Sequence, residues 1–107
     1  MTRPEPSVIA QRRWVHVYEE DTERGAVYRP EDTDIPLSRR PRTQLELGAD
    51  GSARVFVPGP DDRLREQSAT WGEEAGDLVI RATQTGPAPG RVLRVVDWSA
   101  DRLIVRT

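Results

Sequence analysis

Hydrophobic and polar residues alternate along most of the chain, and this alternation predicts β-strands. Residues 43–57 carry apolar side chains at every second position on both sides of an Asp-Gly turn at 50–51, and 91–106 repeats the pattern around a second turn. A period of two places successive side chains on opposite faces of a strand, and no stretch keeps the spacing of an amphipathic helix. The predicted strands are 13–19, 26–29, 43–47, 52–57, 66–73, 78–82, 91–98 and 102–106.

Turn residues separate these strands at short intervals, which is typical of consecutive hairpins. We therefore predict an all-β fold, an antiparallel meander of about eight short strands that forms a small barrel or half-barrel. Two prolines among polar residues predict a flexible N-terminal tail over residues 1–12, in which Val8 and Ile9 are apolar enough to dock on the domain. A chain of 107 residues fits one domain, and the single β-barrel domain is predicted over 13–107.

The alternation also predicts which side chains face the barrel interior. The inward set is Leu45, Leu47, Val55, Trp71, Leu78, Ile80, Leu93, Val95, Leu103 and Val105. A second apolar set is predicted to lie exposed on the outer face, and it consists of Phe56, Val79, Val92, Val96 and Trp98. Because an exposed apolar stripe often marks an interface, we expect a homodimer through this outer sheet face.

Composition narrows the class of protein further. The absence of cysteine excludes disulfides and thiolate chemistry. Lysine and asparagine, whose codons are A-rich, are absent as well, which predicts a GC-rich bacterial genome. The net charge of −2 argues against nucleic acid as a partner. No apolar stretch is long enough for a signal peptide or a membrane span, so we expect a cytoplasmic protein with no membrane partner.

The consecutive hairpins and a tryptophan near the start of the first strand, Trp14, resemble the calycin group of lipocalins and their small bacterial relatives. The resemblance implies that Trp14 packs at the closed barrel end beside an arginine of the last strand, Arg102 or Arg106. The lipocalin signature has glycine two residues before the tryptophan, where this chain has Arg12, and the chain is shorter than a usual lipocalin.

The chain is also similar to a family of small uncharacterised bacterial proteins over most of residues 14–106. This similarity implies a lipocalin-like β fold and no particular activity. The residues that carry it are Trp14, Glu19, Glu20, Asp21, Tyr28, Arg29, Pro30, Pro36, Ser38, Arg39, Arg42, Leu45, Leu47, Asp50, Gly51, Gly59, Pro60, Asp62, Arg63, Trp71, Leu78, Arg94, Val95, Val96, Asp101, Arg102 and Leu103.

A ligand site is predicted where the first two strands meet the proline-rich loop over residues 30–42. His16 shares a strand face with Trp14 and Tyr18, and these side chains combine apolar bodies with polar tips, as pocket walls do. Arginine offers paired donors to carboxylate or phosphate. The six predicted ligand-binding residues are His16, Tyr18, Tyr28, Arg29, Arg39 and Arg42.

Each part of this site has a plainer interpretation. His16 also fits a half-buried strand residue with one hydrogen bond, and the arginines fit a solvated loop paired with Glu31, Asp32 and Asp34. A lone histidine cannot build a zinc site, and the acidic residues lack EF-hand spacing, so we expect neither metal nor cofactor.

We therefore expect a non-catalytic protein that binds a small anionic or hydroxylated molecule at the barrel mouth or the 30–42 loop. One alternative is a protein-interaction module, a homodimer or inhibitor-like barrel that acts through an outer face. A third is an enzyme that uses His16 as acid or base.

Overall fold

The computed structural model describes residues 5–61, 63–82 and 91–106. Within these ranges eight antiparallel strands close into a barrel, so the predicted all-β barrel is confirmed. The strands are β1 Arg12–His16, β2 Ala26–Pro30, β3 Gln44–Leu47, β4 Ser52–Pro58, β5 Leu64–Glu74, β6 Asp77–Ala82, β7 Arg91–Ser99 and β8 Arg102–Arg106. Two short 3₁₀ helices, Pro6–Ile9 and Tyr18–Glu20, precede and follow β1.

The order of the strands departs from a plain meander at one place. Strands β3 to β8 follow one another around the barrel, but β1 lies between β2 and β3, and β2 pairs with β8. Because β1 is antiparallel to both neighbours, β2 and β3 run in the same direction. Residues 31–43 must therefore return from one end of β1 to the other, and we call them the crossover.

Alternating strand directions give the barrel two ends. The mouth is the end where β1 and β8 finish and where β2, β3 and β7 begin. The base is the opposite end, which carries the turns at 48–51, 75–76 and 99–101 and the N-terminal 3₁₀ helix.

The N-terminal 3₁₀ helix closes the base. Ile9 is wholly buried in the core, and the Trp14 indole N–H donates to the Ile9 carbonyl at 3.0 Å. The flexible tail predicted over 1–12 is therefore a docked segment where the structure describes it, from residue 5, because Ile9 fills apolar space at the base. Residues 1–4 lie outside the described ranges. The Arg12 guanidinium lies over the Trp14 ring, 5.6 Å from the centroid, and within the described ranges no such ring contact joins Trp14 to Arg102 or Arg106.

The barrel interior holds nearly the whole predicted core. All the residues predicted inward are buried except Trp71, which is half-buried, packs against the core and donates its indole N–H to the Gly48 carbonyl at 2.8 Å. Small alanines, Ala53, Ala69 and Ala82, complete the interior beside these larger side chains. The period-two pattern therefore predicted the facing of these strands correctly.

The predicted outer stripe is wrong because β7 contains a bulge. The register between β7 and β8 shifts between Val95 and Asp97, so that Val96 is an extra residue. An extra residue reverses which face the following side chains take, and Trp98 therefore points inward opposite Leu103 and is 3% exposed.

The other members of the stripe do not form a continuous apolar surface either. Val79 is buried, and Phe56 and Val96 are half-buried. Arg94 lies opposite Val79, and its guanidinium is 3.4 Å from Asp77, so its apolar stem runs beside that valine. The homodimer stays a prediction, without the stripe that suggested it.

Neighbouring residues of β7 test the assignment of faces. Leu93 is 5% exposed and Val92 is 52% exposed. We expect Leu93→Ala to lower the free energy of unfolding by about 2–5 kcal/mol, because it leaves a cavity in the core. Val92→Ala should cost less than about 1 kcal/mol, since its side chain already contacts water. Urea denaturation measures the free energy of unfolding of both variants. Equal losses would contradict the assignment of Leu93 to the interior and of Val92 to the outer face.

Candidate functional site

A groove lies at the mouth between the end of β1 and the second half of the crossover. Its volume is about 650 Å³. One wall is formed by His16 and Tyr18 and the other by residues 37–43. The groove exists because the crossover has to pass β1 before it enters β3.

Arg42 holds the crossover against the end of β1 by hydrogen bonds to both segments. Its side chain is only 8% exposed. It donates to the His16 carbonyl at 3.0 Å, to the Pro36 carbonyl at 2.8 Å and to both Glu19 carboxylate oxygens at 2.9 and 2.7 Å. The guanidinium also lies over the Tyr18 ring, 4.7 Å from the centroid. Four of its five N–H donors are thereby used within the protein, so Arg42 builds the groove and has little capacity left for a ligand.

Glu19 is the counterion of this buried guanidinium. The hydrogen bond from Arg42 lowers the pKa of the Glu19 carboxyl below its ordinary value. The same contact raises the pKa of the Arg42 guanidinium. Both shifts keep the pair charged, which holds the helix Tyr18–Glu20 against the crossover.

Arg39 and Arg40 differ from Arg42 in having no protein partner. Both are exposed on the groove wall, and no ion pair or hydrogen bond holds either guanidinium among the residues that the structure describes. The alternative pairing with the acidic residues of the loop is not formed by the described side chains, and Asp32 contacts Arg12 at 3.4 Å. Two guanidinium groups are thus available to an anion at the groove.

His16 lines the groove on the β1 side. Its Nε2 lies 3.0 and 3.1 Å from the Asp21 carboxylate oxygens, and one of these oxygens also accepts the Val27 backbone N–H at 2.9 Å. The ring stacks on Tyr28, with centroids 5.0 Å apart. Asp21 and Tyr28 therefore fix the ring orientation, and Nδ1 has no protein partner within the described ranges.

The structure brings together four of the six predicted ligand-binding residues. His16, Tyr18, Arg39 and Arg42 line the groove. Tyr28 lies behind His16 and is 5% exposed, so it supports the site without reaching it.

Arg29 does not belong to the site. It alternates with Tyr28 along β2 and therefore faces outward, where it binds Glu20 at 2.6 Å and the Asp101 carbonyl at 3.1 Å. Successive side chains of a strand point to opposite faces. Tyr28 and Arg29 therefore cannot both face the groove, and Arg29 is the one that faces away from it.

Sequence reasoning missed several groove residues and both groups that position the others. The missed lining residues are Leu37, Ser38, Arg40, Pro41 and Thr43. Arg40 stands beside the predicted Arg39 in the sequence Arg-Arg-Pro-Arg at 39–42, and this run was the available signal. Glu19 and Asp21 carried no such signal, because their partners depend on how the crossover packs.

The described residues contain neither a cluster of metal ligands nor a membrane-spanning helix. No three histidine, aspartate or glutamate side chains among them gather as a metal ion would require. None of the described helices is long and apolar enough to cross a membrane.

Tyr28 gives the site a measurable pH dependence. Burial raises the pKa of its phenol to about 12, with Asp21 raising it further and Arg91 opposing. Between about pH 10 and pH 12 the unfolded chain loses a proton that the folded chain keeps, so the free energy of unfolding should fall by about 1.4 kcal/mol per pH unit. This contribution is fully present below pH 10.

Urea denaturation across this alkaline range should show the decline in the parent protein. Tyr28→Phe, which lacks the titrating group, should show a shallower slope. An equal slope in both proteins, or a Tyr28 phenolate that forms at the ordinary pKa in a difference absorbance titration, would contradict the burial of this phenol.

Comparison with protein-family models, with curated proteins and with solved structures found no match for this chain. The resemblance to lipocalin-like families therefore stays a prediction.

Proposed function

We propose that the chain binds a small anionic molecule, a carboxylate or phosphate, in the groove and acts without catalysis. The observation that supports this function most directly is a pair of guanidinium groups, those of Arg39 and Arg40, which have no partner among the described residues and lie on the wall of a groove of about 650 Å³. Arginine binds carboxylate and phosphate through parallel N–H donors. Ligand pockets typically have volumes of about 300–1,000 Å³.

The frame of the groove favours binding because it is fixed before a ligand arrives. Arg42 ties β1 to the crossover, and Pro36 and Pro41 restrict the crossover backbone on either side of the free arginines. A rigid site loses less entropy when it binds its ligand. The hydroxyl groups of Tyr18 and Ser38, 3.4 Å apart at the groove, add neutral hydrogen-bonding groups for a hydroxylated anion.

A second candidate is acid–base catalysis by His16. Its one specific support is the Asp21 carboxylate, which holds the imidazole by Nε2 and leaves Nδ1 for a bound molecule. We place it second because nothing among the described groove residues is arranged as an activated nucleophile. Ser38 has its hydroxyl beside Tyr18.

Calorimetric titration with inorganic phosphate and with benzoate tests the binding proposal. Arg39→Ala and Arg40→Ala should each weaken at least one of these anions by about tenfold or more, because a charge-assisted hydrogen bond contributes about 1.5–3 kcal/mol. The melting temperature should stay nearly unchanged, since neither guanidinium has a partner among the described residues.

Arg102→Ala is the matched control. It removes the same charge from the base, where Arg102 is exposed, and should leave the affinity unchanged. The proposal fails if the parent binds neither anion at millimolar concentration, or if the two groove variants bind as tightly as the control.

A further inference from the structure

The arginines of the described ranges divide into two groups by their partners. Those with an ion-pair partner are Arg12, Arg13, Arg24, Arg29, Arg42, Arg54, Arg81 and Arg94. Those whose guanidinium has neither an ion pair nor a hydrogen bond are Arg39, Arg40, Arg63, Arg65, Arg91, Arg102 and Arg106. The second group carries the charge that is available to a partner.

This available charge gathers at the mouth. Arg63 directly precedes β5, Arg65 is the second residue of β5, Arg91 begins β7 and Arg106 ends β8. Together with Arg39 and Arg40 of the groove they form a set that we call the arginine rim. Of the partnerless arginines in the described ranges, Arg102 alone lies at the base.

Carboxylates show the opposite distribution within the same ranges. Those without an arginine or histidine partner lie mainly at the base, at Glu5, Glu31, Asp50 and Glu73. Asp34 lies in the crossover, and two others, Glu23 and Asp61, lie at the mouth. Among the described residues, the charge that has no ion-pair partner is therefore mainly positive at the mouth and mainly negative at the base, although the net charge of the chain is −2.

The two ends are far enough apart to act separately. A strand of seven residues such as β4 has a length of about 20 Å. Physiological salt screens exposed charges beyond about 8 Å. A polyanion at the mouth is therefore attracted by the rim and scarcely repelled by the base, and net charge alone is no ground for excluding anionic partners.

An apolar side chain protrudes among these charges. Leu37 is 101% exposed and lies two residues before Arg39 in the crossover, and Tyr18 beside the groove is 52% exposed. A leucine wholly in water next to partnerless arginines is the combination found where proteins lie on anionic bilayers, with cations at the headgroups and an apolar residue in the interface.

We propose that the mouth docks end-on onto an anionic lipid surface, with the arginine rim on the lipid phosphates and Leu37 in the headgroup layer. The rim comes from four separate segments, namely the crossover, the start of β5, the start of β7 and the end of β8, and these lie around the mouth. A planar polyanion can contact all four segments at once, whereas a nucleic acid strand follows one track and contacts only some of them. The docking shares Arg39 and Arg40 with the small-anion site and adds the rim arginines that lie outside the groove.

Cosedimentation with lipid vesicles tests the docking. The full chain should bind vesicles of equal parts phosphatidylglycerol and phosphatidylcholine, should bind pure phosphatidylcholine vesicles far more weakly, and should dissociate at high salt. Arg63→Ala, Arg91→Ala and Arg106→Ala should each weaken binding by about fivefold. Leu37→Ser should weaken it as well, and its fold is safe because the side chain makes no buried contact.

Arg102→Ala is again the control, because it changes the net charge equally at the opposite end. It should bind vesicles as the parent does. Titration with inorganic phosphate separates this proposal from the groove function, since Arg63→Ala and Arg106→Ala should bind phosphate as tightly as the parent.

Four results would overturn the docking. One is equal binding to neutral and anionic vesicles, and another is a loss in Arg102→Ala as large as that in Arg63→Ala. A third is a loss of vesicle binding in Arg39→Ala and Arg40→Ala alone, which would mean that the protein binds a single lipid headgroup in the groove and does not dock through the rim. The last is tighter binding of a single-stranded oligonucleotide than of vesicles with the same variants affected, which would assign the rim to nucleic acid.

Discussion

The position of β1 between two strands that run in the same direction is the constraint on which the site depends. It forces the crossover to pass β1 before the chain can enter β3. A buried arginine, Arg42, then joins the crossover to the end of β1 and to Glu19. The groove is the space left between these two segments, so the topology of the barrel and the existence of the site have one cause.

The same constraint explains why one residue type has two roles in this protein. The chain has arginine and no lysine, so the residue type alone does not distinguish a structural cation from one that binds a partner, and the ion pairs of each guanidinium decide its role. Where a carboxylate lies across the strand or across the crossover, as for Arg42 and Arg81, the guanidinium is structural. Where no carboxylate among the described residues pairs with the guanidinium, as for Arg39 and Arg91 at the mouth, the charge is left for a partner from solution.

The strands, their turns and most of the core could be predicted from sequence, because alternation and turn residues are local signals. Trp98 was assigned to the wrong face because a bulge at Val96 depends on pairing with β8 and leaves no local signature. Ile9 was placed in a tail because its burial depends on the base of the closed barrel.

The candidate site was predictable only in part for the same reason. His16 and Tyr18 share one predicted strand face, and the groove arginines belong to one run over 39–42. Arg42, however, meets Glu19 across 23 positions of the chain, and no periodicity predicts such a contact. The order of β1 and β2 is equally non-local, since a hairpin signal does not say on which side the second strand pairs. Long-range packing therefore determines which of the described arginines form ion pairs within the protein and which can bind an anion from solution.

Native-state hydrogen exchange of Arg42→Ala tests most directly whether Arg42 holds the crossover against β1. We expect faster exchange at the His16 amide, which donates to the Thr43 carbonyl at 2.9 Å, and at the Glu20 and Asp21 amides of the adjoining 3₁₀ turn. Amides of β6 and β7 should exchange as in the parent. Arg81→Ala, which breaks an exposed ion pair with Glu74, should change none of the three. Unchanged exchange at His16 in Arg42→Ala, or an equal increase throughout the barrel, would contradict a local role for this arginine.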